Sequence, residues 1–189
     1  MAEKKRRLIV GISGASGVII GIRLLEALRQ TEVETHLVLT SAAHSTIAQE
    51  TDWKVGDILA LADRAYDPTD IGASIASGSF TTIGMVVAPC SIKSLSAIAN
   101  SYTADLLGRA ADVTLKEGRP LILVVREAPL HLGHLELMQR AARSGAVIFP
   151  PVPAFYSHPQ NLSQIVDQIA GRILLRIGIE NDLYTPWSG

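Results

Sequence analysis

Cysteine, charge and aromatic residues are all scarce in this chain. Cys90 is the single cysteine among 189 residues, so there is no internal disulfide and no cysteine-based metal cluster. No H-E-x-x-H spacing occurs, and His131 and His134 have no carboxylate at ligand spacing, so the sequence offers no metal site. Lys and Arg number 17 against 18 Asp and Glu, a net charge of −1, which makes no electrostatic case for nucleic acid. Charged residues are 19% of the chain and aromatic residues 5%, while 48% are hydrophobic. Apolar surface in such excess over charge implies an oligomer that buries some outer faces. A basic start, Met1 to Arg7, precedes an apolar run in the manner of a signal peptide. Gly11, Ser13, Gly14, Ser16 and Gly17 interrupt that run, and Arg23 ends it before it could span a bilayer. The expectation is a cytoplasmic protein with no membrane partner. It should form one domain over residues 1–189, with an N-terminal tail at 1–7 and a C-terminal tail at 180–189.

What is there is organised around Leu8-Ile9-Val10-Gly11-Ile12-Ser13-Gly14-Ala15-Ser16-Gly17, followed by the helix-like segment Val18 to Leu25. Strand, glycine turn and helix in that order open a nucleotide-binding α/β unit. Glycines let backbone N–H groups approach a phosphate, Ser13 and Ser16 add hydroxyl donors, and the helix N-terminus adds partial positive charge. The spacing G-x-x-G-x-x-G is neither the dinucleotide fingerprint nor a Walker A loop, since no Gly-Lys-Ser/Thr follows. The second strand, Glu34 to Thr40, ends without a carboxylate for a ribose hydroxyl. Those two facts weigh against NAD and favour a mononucleotide such as FMN; a tight turn with no ligand is the plain alternative.

Further along, periodicity predicts helices from Val18 to about Gln30, Ala42 to Gln49, Val55 to Ala62, Ala104 to Glu117, His134 to Arg143 and Leu162 to Ile177, and Cys90 to Ser96 reads as a hydroxyl-rich strand end at the start of a helix. Strands are predicted at Met85 to Pro89, Leu121 to Val125 and Ala146 to Phe149, with a loop at Asp67-Pro68-Thr69-Asp70. Alternation of this kind gives a single doubly wound, mainly parallel sheet. Ligands in such sheets sit at the carboxyl ends of strands. Ser16, Thr40, Ser91, Ser94, Arg126 and Glu127 all fall at such ends, and Ala76 to Phe80 is a small polar stretch suited to lining a pocket.

Each candidate also has a bland reading. Arg126-Glu127 suits either a site or a solvated ion pair. Lys116 and Arg119 lie at a helix end, where cations complement the macrodipole. Cys90 stands at a strand-to-helix turn that could stabilise a thiolate, yet free cysteines are usually buried hydrophobes. His36, in a strand, reads as structural or exposed. Tyr156 and Trp187 follow proline-bounded turns and suit either packing or an aromatic wall over a ligand.

Five segments, collinear over nearly the whole chain, resemble the UbiX/Pad flavin prenyltransferases, long called aromatic acid decarboxylase subunits. They are Gly-Ile-Ser-Gly-Ala-Ser-Gly at 11–17, Pro-Cys-Ser-Ile-Lys-Ser-Leu-Ser at 89–96, Arg-Ala-Ala-Asp-Val-Thr-Leu-Lys-Glu at 109–117, Val-Arg-Glu-Ala-Pro-Leu at 125–130 and Pro-Pro-Val-Pro-Ala-Phe-Tyr at 150–156. The resemblance implies a three-layer Rossmann-like (flavodoxin-like) α/β subunit in a homododecamer, with FMN near subunit junctions. It implies transfer of the dimethylallyl group of a monophosphate to reduced FMN, making a fourth ring through N5 and C6. The product would serve a separate UbiD-type decarboxylase. Carried over by position, the FMN residues are Gly14, Ala15, Ser16, Thr40, Ser91, Ile92, Lys93, Ser94 and Arg126. Tyr156, Arg172, Lys116 and Trp187 would contact the prenyl phosphate. Ser16, Glu50, Arg109, Lys116 and Glu127 would carry catalysis. Thr40 stands where serine is common, which keeps the hydroxyl, and Pro186 precedes Trp187 where arginine is common.

Elementary chemistry agrees with that transfer. An allylic phosphate ionises more easily when cations hold the departing phosphate, and Arg109, Lys116, Arg126 and Arg172 can supply them. An allyl cation needs a dry aromatic surround, which Tyr156 and Trp187 could help provide. Glu127 is a candidate proton acceptor. No Asp-Asp-x-x-Asp motif is present to hold magnesium, which favours a monophosphate and a metal-free site. Two rivals stand beside this reading. A flavin-dependent cysteine decarboxylase would carry Pro-x-Met-Asn-x-x-Met-Trp, which this chain lacks. A non-catalytic flavin-binding accessory subunit would need none of Lys116, Glu127, Tyr156 or Arg172.

Overall fold

Residues 6–187 are described by a computed structural model. Residues 1–5 of the expected N-terminal tail and 188–189 of the C-terminal one lie outside the described residues. Six parallel strands make one sheet in the order β3-β2-β1-β4-β5-β6. They are β1 (Arg7–Ile12), β2 (Glu34–Leu39), β3 (Arg64–Tyr66), β4 (Gly84–Cys90), β5 (Leu121–Val125) and β6 (Val147–Ile148). This is the Rossmann order, whose direction reverses between β1 and β4. Arg7 opens β1, so the sheet claims the last residue of the expected tail.

Strand periodicity decides the layers. Leu8, Val10, Ile12, Val86, Ala88, Ile122 and Val124 face one side, against α1 (Val18–Leu28), α2 (Ser41–Glu50), α3 (Val55–Leu59) and α7 (Leu162–Arg176). Ile9, Met85, Val87, Leu121, Leu123 and Val125 face the other, against α4 (Ile92–Ala99), α5 (Leu106–Lys116) and α6 (Leu132–Arg143). Each fully buried Leu or Ile contributes about 1.5–3 kcal/mol, so these two cores carry the fold. Cys90 breaks the alternation. Strict period two would put it on the first face, but it lies on the second. The ladder slips between Val87 and Cys90 because Pro89 has no N–H to give it.

The predicted elements hold with shifted ends, and two were missed. β3 is only three residues at the sheet edge, and a 3-10 turn spans Ser74–Ala76. Neither is long enough to show a period. Helix α6 begins at Leu132, two residues earlier than the periodicity implied, with His131 at its N-cap. The C-terminal tail is not loose. Asn181 Nδ2 donates to the Gly171 carbonyl at 3.1 Å, and the Thr185 N–H donates to Gln168 Oε1 at 3.3 Å.

His36 is structural and fully buried. Its Nδ1 lies 2.8 Å from the Tyr66 hydroxyl, and Phe80 meets the ring edge-on at 5.0 Å. Burial lowers its pKa from the ordinary 6.5, Glu34 opposing and Arg7 and Arg64 adding to the fall. A histidine kept neutral when folded takes up more protons unfolded, so its contribution fades as pH falls below the unfolded value. Thermal unfolding at pH 7.5 and pH 5.5 checks this. His36→Asn is expected to be less stable than the parent at the higher pH, with the gap narrowing at the lower.

Candidate functional site

The first two strand ends across the reversal point are joined by one buried hydroxyl. Ser13, 1% exposed, donates from Oγ to the Pro89 carbonyl at 2.8 Å and accepts the Ser91 N–H at 2.8 Å. The Ser13 N–H reaches the same carbonyl at 3.2 Å. The slipped ladder at Pro89 leaves that carbonyl available to Ser13. Ser13 is therefore a strut, not the free ligand donor that the glycine turn implied.

Gly17 turns into α1 with φ 92°, a left-handed conformation that favours glycine. Its N–H is already taken, by Glu50 Oε2 at 2.8 Å. A carboxylate thus caps the helix end at which the sequence pointed a phosphate. Glu50 and the glycine turn thus come together. Gly14 is required by packing, because a Cβ there would sit 2.6 Å from Ala42 Cβ and 2.9 Å from Ala42 backbone.

Above the carboxyl ends lies a cavity of about 790 Å³. Gly14 lines it from the β1 loop and Thr40, Ser41 and Ala42 from the start of α2. Ser91, Lys93 and Ser94 line it from α4. Two helix N-termini converge there. That of α4 is capped by Ser91 Oγ, which accepts the Ser94 N–H at 3.3 Å and donates to Ser94 Oγ at 3.2 Å. That of α2 has no side-chain cap, and Thr40 Oγ1 is buried with no partner among the described residues. An orphaned hydroxyl at an open helix end inside a cavity is suited to an anion. The opposite wall, Pro68, Thr69, Tyr102 and Asp105, was not anticipated. Tyr102 comes from an irregular loop, Asp105 caps the predicted α5, and only the turn at Pro68 and Thr69 carried a loop signal.

A second, smaller hollow of about 180 Å³ lies between the Phe149–Tyr156 segment and α7. Tyr156, Gln168, Arg172 and Tyr184 line it. Tyr156 donates to the Tyr184 hydroxyl at 3.1 Å, which with burial holds its phenol above the ordinary value. The Arg172 guanidinium lies 5.4 Å over the Tyr184 ring, and Trp187 meets Tyr156 edge-on at 5.3 Å. Two of the aromatics expected to wall a ligand thus share a place with the expected phosphate cation.

The remaining candidates are spread out. Ala15 and Ser16 stay in the turn beside Gly14, and Ile92 packs its side chain into the core rather than the cavity. Arg126 and Glu127 are exposed at the end of β5, Glu127 Oε1 accepting the Ala128 N–H at 3.0 Å. Arg109 pairs with Asp112 at 3.3 Å along α5. Lys116 closes α5 eight residues beyond Gly108, which is about 12 Å from the cavity wall at the helical rise. Cys90 is fully buried, and burial pushes its thiol up to about 12, so the thiolate reading fails. Among the described residues no group of three or more His, Cys, Asp or Glu could hold a metal ion. No described helix is long and apolar enough to cross a membrane.

Comparisons with known proteins bear on this geometry. The model of the family described as Flavoprotein matches residues 1–174. The chain is 58% identical over 187 residues to the flavin prenyltransferase UbiX of Escherichia coli, covering 97% of this chain and 99% of that one. A crystal structure of AnUbiX (PadA1) in complex with FMN and dimethylallyl pyrophosphate superposes with a TM-score of 0.97 at 45% identity, covering 98% and 99% of the two chains. A dodecameric FMN-dependent UbiX-like decarboxylase from Escherichia coli superposes with a TM-score of 0.95 at 48% identity, covering 97% of this chain and all of that one.

The strut makes a direct prediction. Ser13→Ala leaves the buried Ser91 N–H without its acceptor, at a cost of about 1–3 kcal/mol. Urea unfolding of the parent and variant measures it, and an unchanged midpoint would contradict the role.

Proposed function

This chain belongs to the UbiX/Pad family of flavin prenyltransferases, and we propose that it builds its active centre from the cavity over α2 and α4 together with cationic groups brought by other copies of the chain. It is a transferase that joins the dimethylallyl group of a prenyl phosphate to reduced FMN, giving the prenylated flavin. The cysteine-decarboxylase and accessory-subunit readings are not favoured beside 58% identity to a flavin prenyltransferase.

The observation that carries the cofactor assignment is Thr40 Oγ1, buried and unpartnered at the uncapped N-terminus of α2. With Ser91, Lys93 and Ser94 it makes a cradle for the FMN phosphate, and the roughly 790 Å³ cavity suits a mononucleotide of that size. The glycine turn, with Gly14, Ala15 and Ser16, then borders the ring rather than the phosphate, because Glu50 already occupies its helix end. Ile92 acts by holding α4 in place. Arg126 and Glu127, at the neighbouring strand end, are assigned to the flavin edge and to proton acceptance.

Tyr156, Arg172 and Trp187 are assigned to the prenyl phosphate, with Arg109 and Lys116 adding charge. Bound reduced FMN supplies the nucleophile; the protein's part is to orient it, hold the leaving phosphate and accept protons. Lys116 lies at the far end of α5 from the cavity, so it serves a centre shared with another copy. That arrangement supports an oligomer, for which we propose a dodecamer. We also propose dimethylallyl monophosphate as substrate, a UbiD-type decarboxylase as user of the product, and the cytoplasm as the location.

Thr40→Val is isosteric and breaks no protein hydrogen bond. It is expected to weaken FMN binding by about 10- to 150-fold, the value of one charge-assisted contact, with unchanged thermal stability of the apoprotein. Titration of flavin fluorescence measures it. Parent-like affinity would remove the phosphate from this cradle.

The reaction is tested anaerobically with reduced FMN and dimethylallyl monophosphate, by mass spectrometry of the extracted flavin. The product should be heavier by one isoprenyl unit, and inorganic phosphate should be released. Glu127→Gln should bind both ligands yet form product more slowly, since an amide cannot accept the proton. An unmodified flavin with intact substrates would overturn the prenyl-transfer reading.

A further inference from the structure

The end of α5 holds a group of charges that the assignments above leave largely unused. Glu117 caps the helix, Gly118 follows with φ 65°, and the Arg119 N–H returns to the Thr114 carbonyl at 2.9 Å. This left-handed stop turns Arg119 back toward the loop that precedes β4. There the guanidinium donates to two carbonyls, Gly78 at 2.7 Å and Phe80 at 2.8 Å. Its side chain is only 16% exposed, so it is a fixed point.

Glu117 links that fixed point to a mobile one. One carboxylate oxygen lies 3.9 Å from Arg119 Nη2, and the other pairs with Lys116 Nζ. Lys116 itself is half exposed and would otherwise sample many rotamers on its four-carbon stem. Gly78 makes the approach possible. A Cβ there would lie 2.1 Å from Glu117 Oε1 and 2.8 Å from Lys116 Nζ. Backbone, Arg119, Glu117 and Lys116 thus form one chain of contacts running from rigid to flexible. The three side chains still sum to one net positive charge. An ammonium with one proton on Glu117 keeps two for another acceptor.

We propose that Glu117 and Arg119 are positioning residues, which hold the Lys116 ammonium in place for the prenyl phosphate. The inference rests on the assignment of Lys116 to that phosphate. Glu117 restricts the ammonium before substrate arrives, so less rotamer freedom is lost on binding. Arg119 keeps Glu117 and the 77–80 loop in register. Lysine at position 119 would keep the charge but could not fork to both carbonyls.

Steady-state kinetics on the FMN-loaded protein test it. Glu117→Gln and Arg119→Lys should each raise KM for dimethylallyl monophosphate by about five- to tenfold, the size of one lost pairwise coupling. Their kcat should stay within about twofold, and FMN affinity should not change, which also reports that both variants fold. Glu117→Asp should recover part of the loss. The deciding measurement is the double variant Lys116→Ala with Glu117→Gln, whose KM should equal that of Lys116→Ala alone. Effects that multiply, or a lower KM in Glu117→Gln, would overturn the proposal. If Lys116→Ala proves silent while the parent still makes prenylated flavin, the positioning role falls and the prenyl-transfer reading stands. If the parent makes none, the reading itself falls and takes this inference with it.

Discussion

The site depends on the contact between Ser13, Pro89 and Ser91. A doubly wound sheet opens a crevice where its strand order reverses, but the crevice alone does not fix the loops on its two sides. Here one buried hydroxyl donates to a carbonyl before α4 and accepts an amide at its cap. The carbonyl is free because Pro89 interrupts the ladder, and the same slip carries Cys90 to the other face. A proline in a central strand would ordinarily weaken a sheet. In this chain the weakness is confined to the strand end, where the backbone must leave the sheet and form a helix N-terminus.

Charge is distributed over the helix ends with the same economy. Glu50 accepts the Gly17 N–H and places a carboxylate at the N-terminus of α1, while the N-terminus of α2 has no side-chain cap. Thr40 fits that division, since its hydroxyl is buried with no partner among the described residues. On the proposed assignment, two neighbouring helix ends with opposite needs would orient a mononucleotide, with the dianion at one end and the ring under the glycine turn. Uniform positive ends would not distinguish the two directions.

Much of this was legible in the residues. Strand, glycine turn and helix announced the first unit, and alternation of apolar runs announced the parallel sheet. Thr40, Ser91 and Ser94 were recognisable because hydroxyls at strand ends point into the crevice. The role of Ser13 was not legible, since a serine among glycines reads as a ligand donor until its partner 76 residues away is known. Glu50 was placed only by the family pattern, because its contact with Gly17 spans 33 residues. Thr69 and Asp105 fell in a predicted loop and helix whose part in the cavity wall was not foreseen, while the Tyr102 side of that wall lies in a loop with no period and left no signal. Short edge elements such as β3 are invisible for the same reason.

What no single chain can do is bring all the assigned cations to one point. The cradle over α4 and the N-terminal end of α5 faces one way, while Lys116 closes the same helix about 12 Å further on. Tyr156 and Arg172 line a separate hollow against α7. A rigid helix with the proposed cofactor wall at one end and Lys116 at the other cannot fold those ends together. On the proposed assignment, other copies of the chain, arranged around a symmetry axis, would supply the cations. Exposed apolar side chains at Leu132, Val152, Phe155 and Leu162 supply surface for such contacts. On that assignment assembly is part of the chemistry, since a separated subunit would hold the flavin without the charges proposed to ionise its partner.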